Sequence, residues 1–262
     1  MNNILLGQYL ETDSIFHRLD PRTKLLAAIS IMLSFLMLET FISYVTAAIF
    51  VLIILISSKI PLHMFGRVLR PILWILAFTF VYHALTTKGV IIWSWSFIHV
   101  TAEGLQNGTR FVFRIVLLVL LASVLTLTTK PLSLAHGLEK LLSPLSKLNV
   151  PVEQFSLMIA IAIRFIPTIM QELDRILQAQ QARGYDITSL KMPKRFFAYI
   201  PILIPLIIAT VQRAEQLTMA IDARAYGNGK GRTVYKQLKF TRIDYIAGGL
   251  AIVFAMTLLL LR

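Results

Sequence analysis

The chain has 262 residues, of which 56% are hydrophobic and 15% charged, with a mean hydropathy of +0.72; soluble domains carry roughly 25% charged residues, so this is an integral membrane protein. Its 26 Lys+Arg against 13 Asp+Glu give a net charge of +13, an excess that belongs on the cytoplasmic side of a membrane and that lacks the basic, aromatic-studded stripe of a nucleic-acid binder, which excludes that partner. With no cysteine, disulfides and thiolate metal sites are excluded as well.

The first twenty residues, MNNILLGQYLETDSIFHRLD, contain acidic residues and lack a positive start followed by an apolar core, so no cleavable signal is expected there. A spanning helix needs about 20 apolar residues, and five segments approach that length. Leu25 to Leu38 and Phe41 to Ser57 form a helical hairpin with Glu39-Thr40 at its tip; Pro71 to Thr87, Phe111 to Thr129 and Ile243 to Leu261 follow. With the amino terminus inside, Arg18, Arg22, Lys24, Lys59, Arg67 and Arg70 are all cytoplasmic. Trp93 and Trp95 in the outer loop suit the interfacial aromatic belt, and Arg110 and Arg114 are expected to snorkel to the outer headgroups.

Two further apolar runs lie between the fourth and last spans: Phe155 to Met170, with Arg164 and Pro167, and Phe196 to Val211, with Pro201 and Pro205. If both crossed, the basic residues between them, Arg175, Arg183, Lys191, Lys194 and Arg195, would lie outside. Arg164 near mid-span would add about 2.5–3.5 kcal/mol to insertion. Both runs are therefore assigned to the cytoplasmic side, dipping at most into the interface. Residues 130 to 242 then form a cytoplasmic insert with sixteen Lys+Arg and seven Asp+Glu.

Within that insert two amphipathic helices are expected. From Thr168 to Arg183, Ile169, Met170, Leu173, Ile176 and Leu177 recur at helical spacing, opposite Glu172, Asp174, Arg175 and Gln178. Gly184 follows and suits a left-handed helix stop. Pro205 opens the second helix, along which Ile207, Val211, Ala214, Leu217 and Ile221 repeat up to Arg224. The two are expected to pack through the Leu173, Leu177 side of one and the Val211, Leu217 side of the other.

Each helix ends in an Ala-Arg-small-Tyr unit, Ala182-Arg183-Gly184-Tyr185 and Ala223-Arg224-Ala225-Tyr226. An arginine there complements the helix dipole, and its fork of donors binds a carboxylate bidentately. Capping alone needs neither the repeated tyrosine nor the small neighbours, so these ends suit docking to an acidic groove on another protein.

These residues carry a family resemblance. The chain resembles EcfT, the transmembrane coupling component of energy-coupling factor transporters, over nearly its whole length. Leu19-Asp20-Pro21-Arg22-Thr23-Lys24-Leu25 is similar to the family's amino-terminal signature, and Thr101-Ala102-Glu103-Gly104-Leu105 to its outer-loop pattern. The run from Arg164-Phe165-Ile166-Pro167 through Glu172, Ile176 and Ala179-Gln180 into Ala182-Arg183-Gly184 is the most specific. The resemblance implies an all-α integral membrane protein of about five transmembrane helices and a cytoplasmic coupling domain with two long amphipathic helices. Residues 1–129 would hold the first four spans, 130–242 the coupling domain and 243–262 the last span.

As partners it implies two ABC ATPase subunits, EcfA and EcfA prime, a membrane-embedded substrate-binding S component and the lipid bilayer of a bacterial cell. The ATPase-docking residues it implies are Ala182, Arg183, Gly184, Ala223, Arg224 and Ala225. Ala225 stands where the family has glycine, and Gly227 is expected to supply that helix stop instead.

No cofactor or catalytic group is expected. Gly227-Asn228-Gly229-Lys230-Gly231-Arg232-Thr233 fails the phosphate-loop pattern, since Gly231 follows the lysine. The five histidines, His17, His63, His83, His99 and His136, are scattered without metal-ligand spacing. The alternatives to a coupling subunit are a secondary transporter, which would show ionisable or unwound elements at mid-membrane and related halves, and a membrane-embedded enzyme. Within the family, a module shared among vitamins competes with one dedicated to cobalt, nickel or biotin.

Overall fold

The computed structural model describes residues 12–95, 98–144, 152–185, 197, 199–225 and 240–261. The chain divides into two compact units, one built on residues 142–237 and the other on 7–141 with 238–262.

The second unit begins with a short turn of helix, α1 (Ile15–Arg18), and with α2 (Pro21–Leu36). Asp20 caps α2 by accepting the Arg22 backbone N–H at 2.9 Å, and Pro21 occupies the first helical position, where its missing N–H costs nothing. A tight turn leads into α3 (Phe41–Ser57). Then come α4 (Leu62–Leu69) and α5 (Leu73–Thr86), bent by 57° from one another. Pro71 lies between them, and proline cannot continue a helical hydrogen-bond ladder. The straight span expected from Pro71 to Thr87 is therefore a broken pair, of which α5 is the longer arm.

An antiparallel hairpin, β1 (Ile91–Trp95) and β2 (Ile98–Thr101), precedes α6 (Ala102–Thr128). It is the one element type the sequence reading did not expect. Thr101 caps α6 through the Gly104 N–H at 3.1 Å, so the fourth apolar helix begins nine residues before the expected Phe111. α7 (Pro131–Leu142) follows, with Gly137 close against Pro21, and α10 (Arg242–Leu260) completes the unit.

The core of this unit is formed by α2, α3, α6 and α10, around Phe35, Leu38, Val51, Leu127 and Leu258. Large apolar side chains also point outward, including Phe41, Trp74, Phe78 and Leu260, each more than 70% exposed. An apolar exterior on this scale is covered by lipid in a membrane protein. By length and composition α6, α9 (Ile200–Ala223) and α10 can each cross a membrane, and the bent α4 and α5 pair makes a fourth; α3, with 17 apolar residues, is shorter. The fold is thus that of an all-α membrane protein. α9, assigned above to the cytoplasmic side, has the length and composition of a span.

Two polar clusters tie the helix ends together. At one end Asp244, 2% exposed, accepts the Asp20 N–H at 2.7 Å and both the N–H and the hydroxyl of Thr241 at 2.7 Å. This joins the starts of α2 and α10. Lys24 reaches across to the end of α6, donating to the Thr128 carbonyl and the Thr129 hydroxyl at 3.2 Å each. At the other end the Arg114 guanidinium donates to the Leu38 carbonyl and, at 3.1 Å, to the Tyr44 hydroxyl. Arg114 does not snorkel outward as expected; it clamps the tip of the α2–α3 hairpin.

The first unit contains α8 (Val152–Ala182) and α9. The expected amphipathic segment from Thr168 and the apolar run from Phe155 are one continuous helix of 31 residues, with Pro167 inside it. α9 likewise starts at Ile200 rather than Pro205, which lies inside it, and runs for 24 residues. At 1.5 Å per residue the two helices are about 46 and 36 Å long.

Candidate docking site at the ends of two long helices

α8 and α9 pack against each other in antiparallel fashion. The Gln180 side chain near the end of α8 donates to the Pro201 carbonyl at the start of α9, at 3.3 Å. Farther along, Phe165, Thr168, Ile169 and Glu172 face Ala209, Thr210 and Arg213 across a narrow groove. Of the expected Val211 and Leu217, Val211 is not on the face of α9 that meets α8, being 51% exposed, whereas Leu217, four residues after Arg213, falls on the same side as Ala209 and Arg213 and is half-buried. Ala209 is small enough to let the helices approach, whereas Val211, two residues on, stands on nearly the opposite side of the helix.

Antiparallel packing sends the two arginine-bearing ends in opposite directions. From Pro201, level with Gln180, to Arg224 is 23 residues of α9, or about 35 Å along the axis. Arg183 and Arg224 therefore lie at opposite ends of the pair.

At both ends a left-handed residue directly follows the arginine and its N–H closes the same five-to-two bond. At the first, Arg183 directly follows the last residue of α8, Gly184 takes φ +80, the Gly184 N–H bonds the Gln181 carbonyl at 2.9 Å, and the Tyr185 N–H reaches back to the Gln180 carbonyl at 3.0 Å. This is the six-to-one and five-to-two pattern that closes a helix with a left-handed glycine. At the second, Arg224 takes φ −90 and ψ 10, Ala225 takes φ +49, and the Ala225 N–H bonds the Asp222 carbonyl at 2.8 Å. The stop expected at Gly227 is made by Ala225 itself; Gly227, like Tyr226, lies outside the described residues.

Ala182, Arg183, Gly184, Ala223, Arg224 and Ala225 are all exposed. Among the described residues neither guanidinium makes a hydrogen bond or an ion pair, with its own helix or with another. Capping of their own carbonyls, the simplest role for a helix-end arginine, is therefore not what these side chains do. The small neighbours leave the approach to each fork open.

Sequence reasoning missed Gln180 and the Phe165 to Arg213 groove as the contacts that fix the antiparallel pairing. The signal was present for part of this: Ile202, Ala209 and Arg213 recur at steps of seven and four, a stripe as regular as the one chosen. Periodicity alone did not separate two stripes on a helix apolar over most of its circumference.

Comparison with known proteins decides the family. The cobalt transport protein family, CbiQ, matches residues 12–235. Energy-coupling factor transporter transmembrane proteins named EcfT are similar along the whole chain. That of Ruminiclostridium cellulolyticum is 39% identical over 262 residues, covering 100% of this chain and 98% of the relative. The Lactococcus lactis subsp. cremoris protein is 40% identical with the same coverage, and that of Bacillus subtilis is 39% identical over 100% of this chain and 99% of its own.

This chain belongs to the EcfT family. It is a transmembrane component of an energy-coupling factor transporter, and the resemblance drawn from Arg164 to Gly184 holds over the full length. In an EcfT-family chain the outer-loop pattern also acquires a structural account. Thr101 caps α6 and donates to the Thr87 carbonyl at 2.8 Å, while the Glu103 carboxylate accepts the Val90 N–H at 2.7 Å. Gly104 and Gly108, four apart on α6, lie against the α5 backbone at His83 and Ala84 and against Phe80. The spacing is that of small residues admitting a close helix crossing.

Proposed function

We propose that this chain is the coupling subunit of an ATP-driven importer, joining two ABC ATPase subunits to a substrate-binding S component for uptake of vitamins or other micronutrients. It works in the bacterial cell membrane, crosses it several times, and holds residues 130–242 in the cytoplasm. ATP hydrolysis belongs to the partner subunits, and this chain transmits their motion.

The observation that carries this reading is the pair of matched arginines, unengaged among the described residues, at opposite ends of one antiparallel helix pair. Each left-handed turn closes its helix, and among the described residues each guanidinium has no ion pair, so a carboxylate groove can take it. Two ends separated by about 35 Å suit two separate ATPases better than one. A displacement of either ATPase then acts on the end of a long lever, which also carries exposed apolar side chains such as Leu203, Ile204 and Ile207 for membrane partners.

A second reading rests on the family description, cobalt transport protein: a module dedicated to one substrate such as cobalt, with nickel or biotin as variants, rather than one shared among S components. The S components that co-purify separate the two.

The test of coupling is charge reversal. Removing one partner of a buried, hydrogen-bonded charge pair costs about 2–5 kcal/mol, largely by stranding the other charge. Arg183→Glu and Arg224→Glu should each weaken ATPase capture and vitamin uptake while membrane insertion stays normal, and the double change should be worse than either. Arg183→Lys should recover only part, since an ammonium lacks the bidentate fork. A double reversal that retains both ATPases and transports normally overturns the proposal, and a chain that transports with no ATPase bound is a secondary transporter.

A further inference from the structure

The second unit holds a cavity of about 230 Å³ walled by α1, α2, α3, α6 and α10. Its sides are apolar, with Ala28, Ile31, Ile54, Leu121, Val124 and Ala251 among them. Its polar lining residues, Thr23, Lys24, Ser57 and Thr128, gather at one end, because α2 starts there while α3 and α6 finish there. From that end the lining runs about 12 Å along α2, from Thr23 to Ile31, and about 10 Å along α3 and α6. Dividing the volume by this depth gives a mean cross-section of about 20 Å², enough for one extended alkyl chain.

Two lining residues show where the cavity opens. Ile53 on α3 and Leu250 on α10 both border it, yet are 55% and 63% exposed. The mouth therefore lies between α3 and α10, on the apolar surface that lipid covers. Water is a poor occupant, since a buried water needs two to four polar partners and the walls above the polar end offer none. An unfilled apolar cavity is destabilising in proportion to its volume.

We propose that this cavity binds the glycerol-proximal half of one acyl chain of a membrane phospholipid, entering between α3 and α10, with the headgroup at the Lys24 end. The ammonium of Lys24 has three donors; two serve Thr128 and Thr129, and the third faces an ester or phosphate oxygen of the lipid. Such a lipid wedges α3 against α10 beside the Asp20, Lys24 and Asp244 cluster and fills the interior that the helices leave open.

The test uses the full chain in detergent-free nanodiscs of phosphatidylglycerol and phosphatidylcholine, with a trace of phosphatidylglycerol bearing a diazirine midway along one acyl chain. After irradiation and digestion, mass spectrometry should find labels on Ile31, Ile54 or Leu121, which are 3%, 8% and 5% exposed and out of reach of bulk lipid. Ala251→Phe and Ala28→Leu, which fill the cavity, should lower those labels at least tenfold and leave labels on exposed Trp74 and Phe78 unchanged. Labels confined to the outward faces, or undiminished in folded variants, overturn the proposal. Where neither variant folds, labelling of the wild-type chain at the three buried positions decides alone. Displacement by decyl maltoside but not by unlabelled phosphatidylglycerol assigns the site to detergent-like chains and also overturns it.

Discussion

At positions 184 and 225 a single left-handed step ends each long helix, and the two residues bear it at different cost. Gly184 has no Cβ to strain at φ +80, whereas Ala225 carries one at φ +49, a conformation that costs an ordinary residue about 1–2 kcal/mol. Space is not the issue, because a Cβ on Gly184 would meet nothing within 4 Å. Gly184→Ala should therefore loosen the end of α8 by about 1 kcal/mol. Ala225→Gly should steady the end of α9 by less, since glycine also gains freedom in the unfolded chain. Amide exchange at residues 180–185 and 221–225 checks both, faster in the first variant and slower in the second; unchanged protection in both would refute the strain. At Arg114 the expectation is larger. Arg114→Met leaves the Leu38 carbonyl without its guanidinium and should cost about 1–3 kcal/mol, read as a lower unfolding temperature in detergent, with Arg114→Lys intermediate.

Among the elements, the crossing of α5 and α6 depends on what the glycines lack. A Cβ on Gly104 would sit 2.7 Å from the His83 carbonyl oxygen and 2.9 Å from that of Ala84, closer than real side chains approach, and backbone cannot yield as a side-chain tip does. Gly104→Ala should push the helices apart and destabilise the protein by about 1–3 kcal/mol. Gly66 on α4 has nothing within 4 Å of its would-be Cβ, so Gly66→Ala should be neutral or stabilising by up to about 1 kcal/mol. Thermal unfolding of the two variants side by side is the measurement, and equal behaviour would mean that contact at Gly104 is unimportant. The elements themselves were legible to different degrees. Hydrophobic length revealed α3, α6 and α10, and Gly184 marked a real boundary, because capping is a local interaction; the start of α2 at Pro21 lies four residues before the expected Leu25. The bend before α5 and the hairpin at Ile91–Thr101 were not foreseen. α8 and α9 were each divided at a proline that the structure absorbs, since packing along the rest of the helix outweighs one lost hydrogen bond. The residues proposed for docking stood out because Ala-Arg-small-Tyr recurs; their placement at opposite ends of the helix pair did not, because direction is set by the contact of Gln180 with Pro201, which no local pattern encodes.

At the scale of the whole molecule, α9 can meet the membrane in two ways, across it or along its surface. Its length and composition permit a crossing, and if α9 crossed while α8 did not, the segments before and after it would lie on opposite sides. The charges argue against that. Counted from Ile200, Arg213 lies about 20 Å along the helix and Glu215 about 23 Å, within a hydrocarbon core about 30 Å thick. Arg213 alone would add about 2.5–3.5 kcal/mol near the centre, and the sixteen Lys+Arg of residues 130–242 would be divided between the two sides. An α9 lying along the interface instead keeps Arg213, Glu215 and the docking end at Arg224 in water while Leu203, Ile204, Ile207 and Ile208, all about half exposed, meet lipid or a membrane partner. Single cysteines at Lys191 and Lys236, which flank α9 outside the described residues, distinguish the two arrangements in a chain that has no cysteine of its own. Both should react with an impermeant thiol reagent only after cells are opened. Labelling of Lys191→Cys or Lys236→Cys in intact cells would place that flank outside, make α9 a span, and remove one of the two arginine-bearing ends from the reach of any cytoplasmic ATPase.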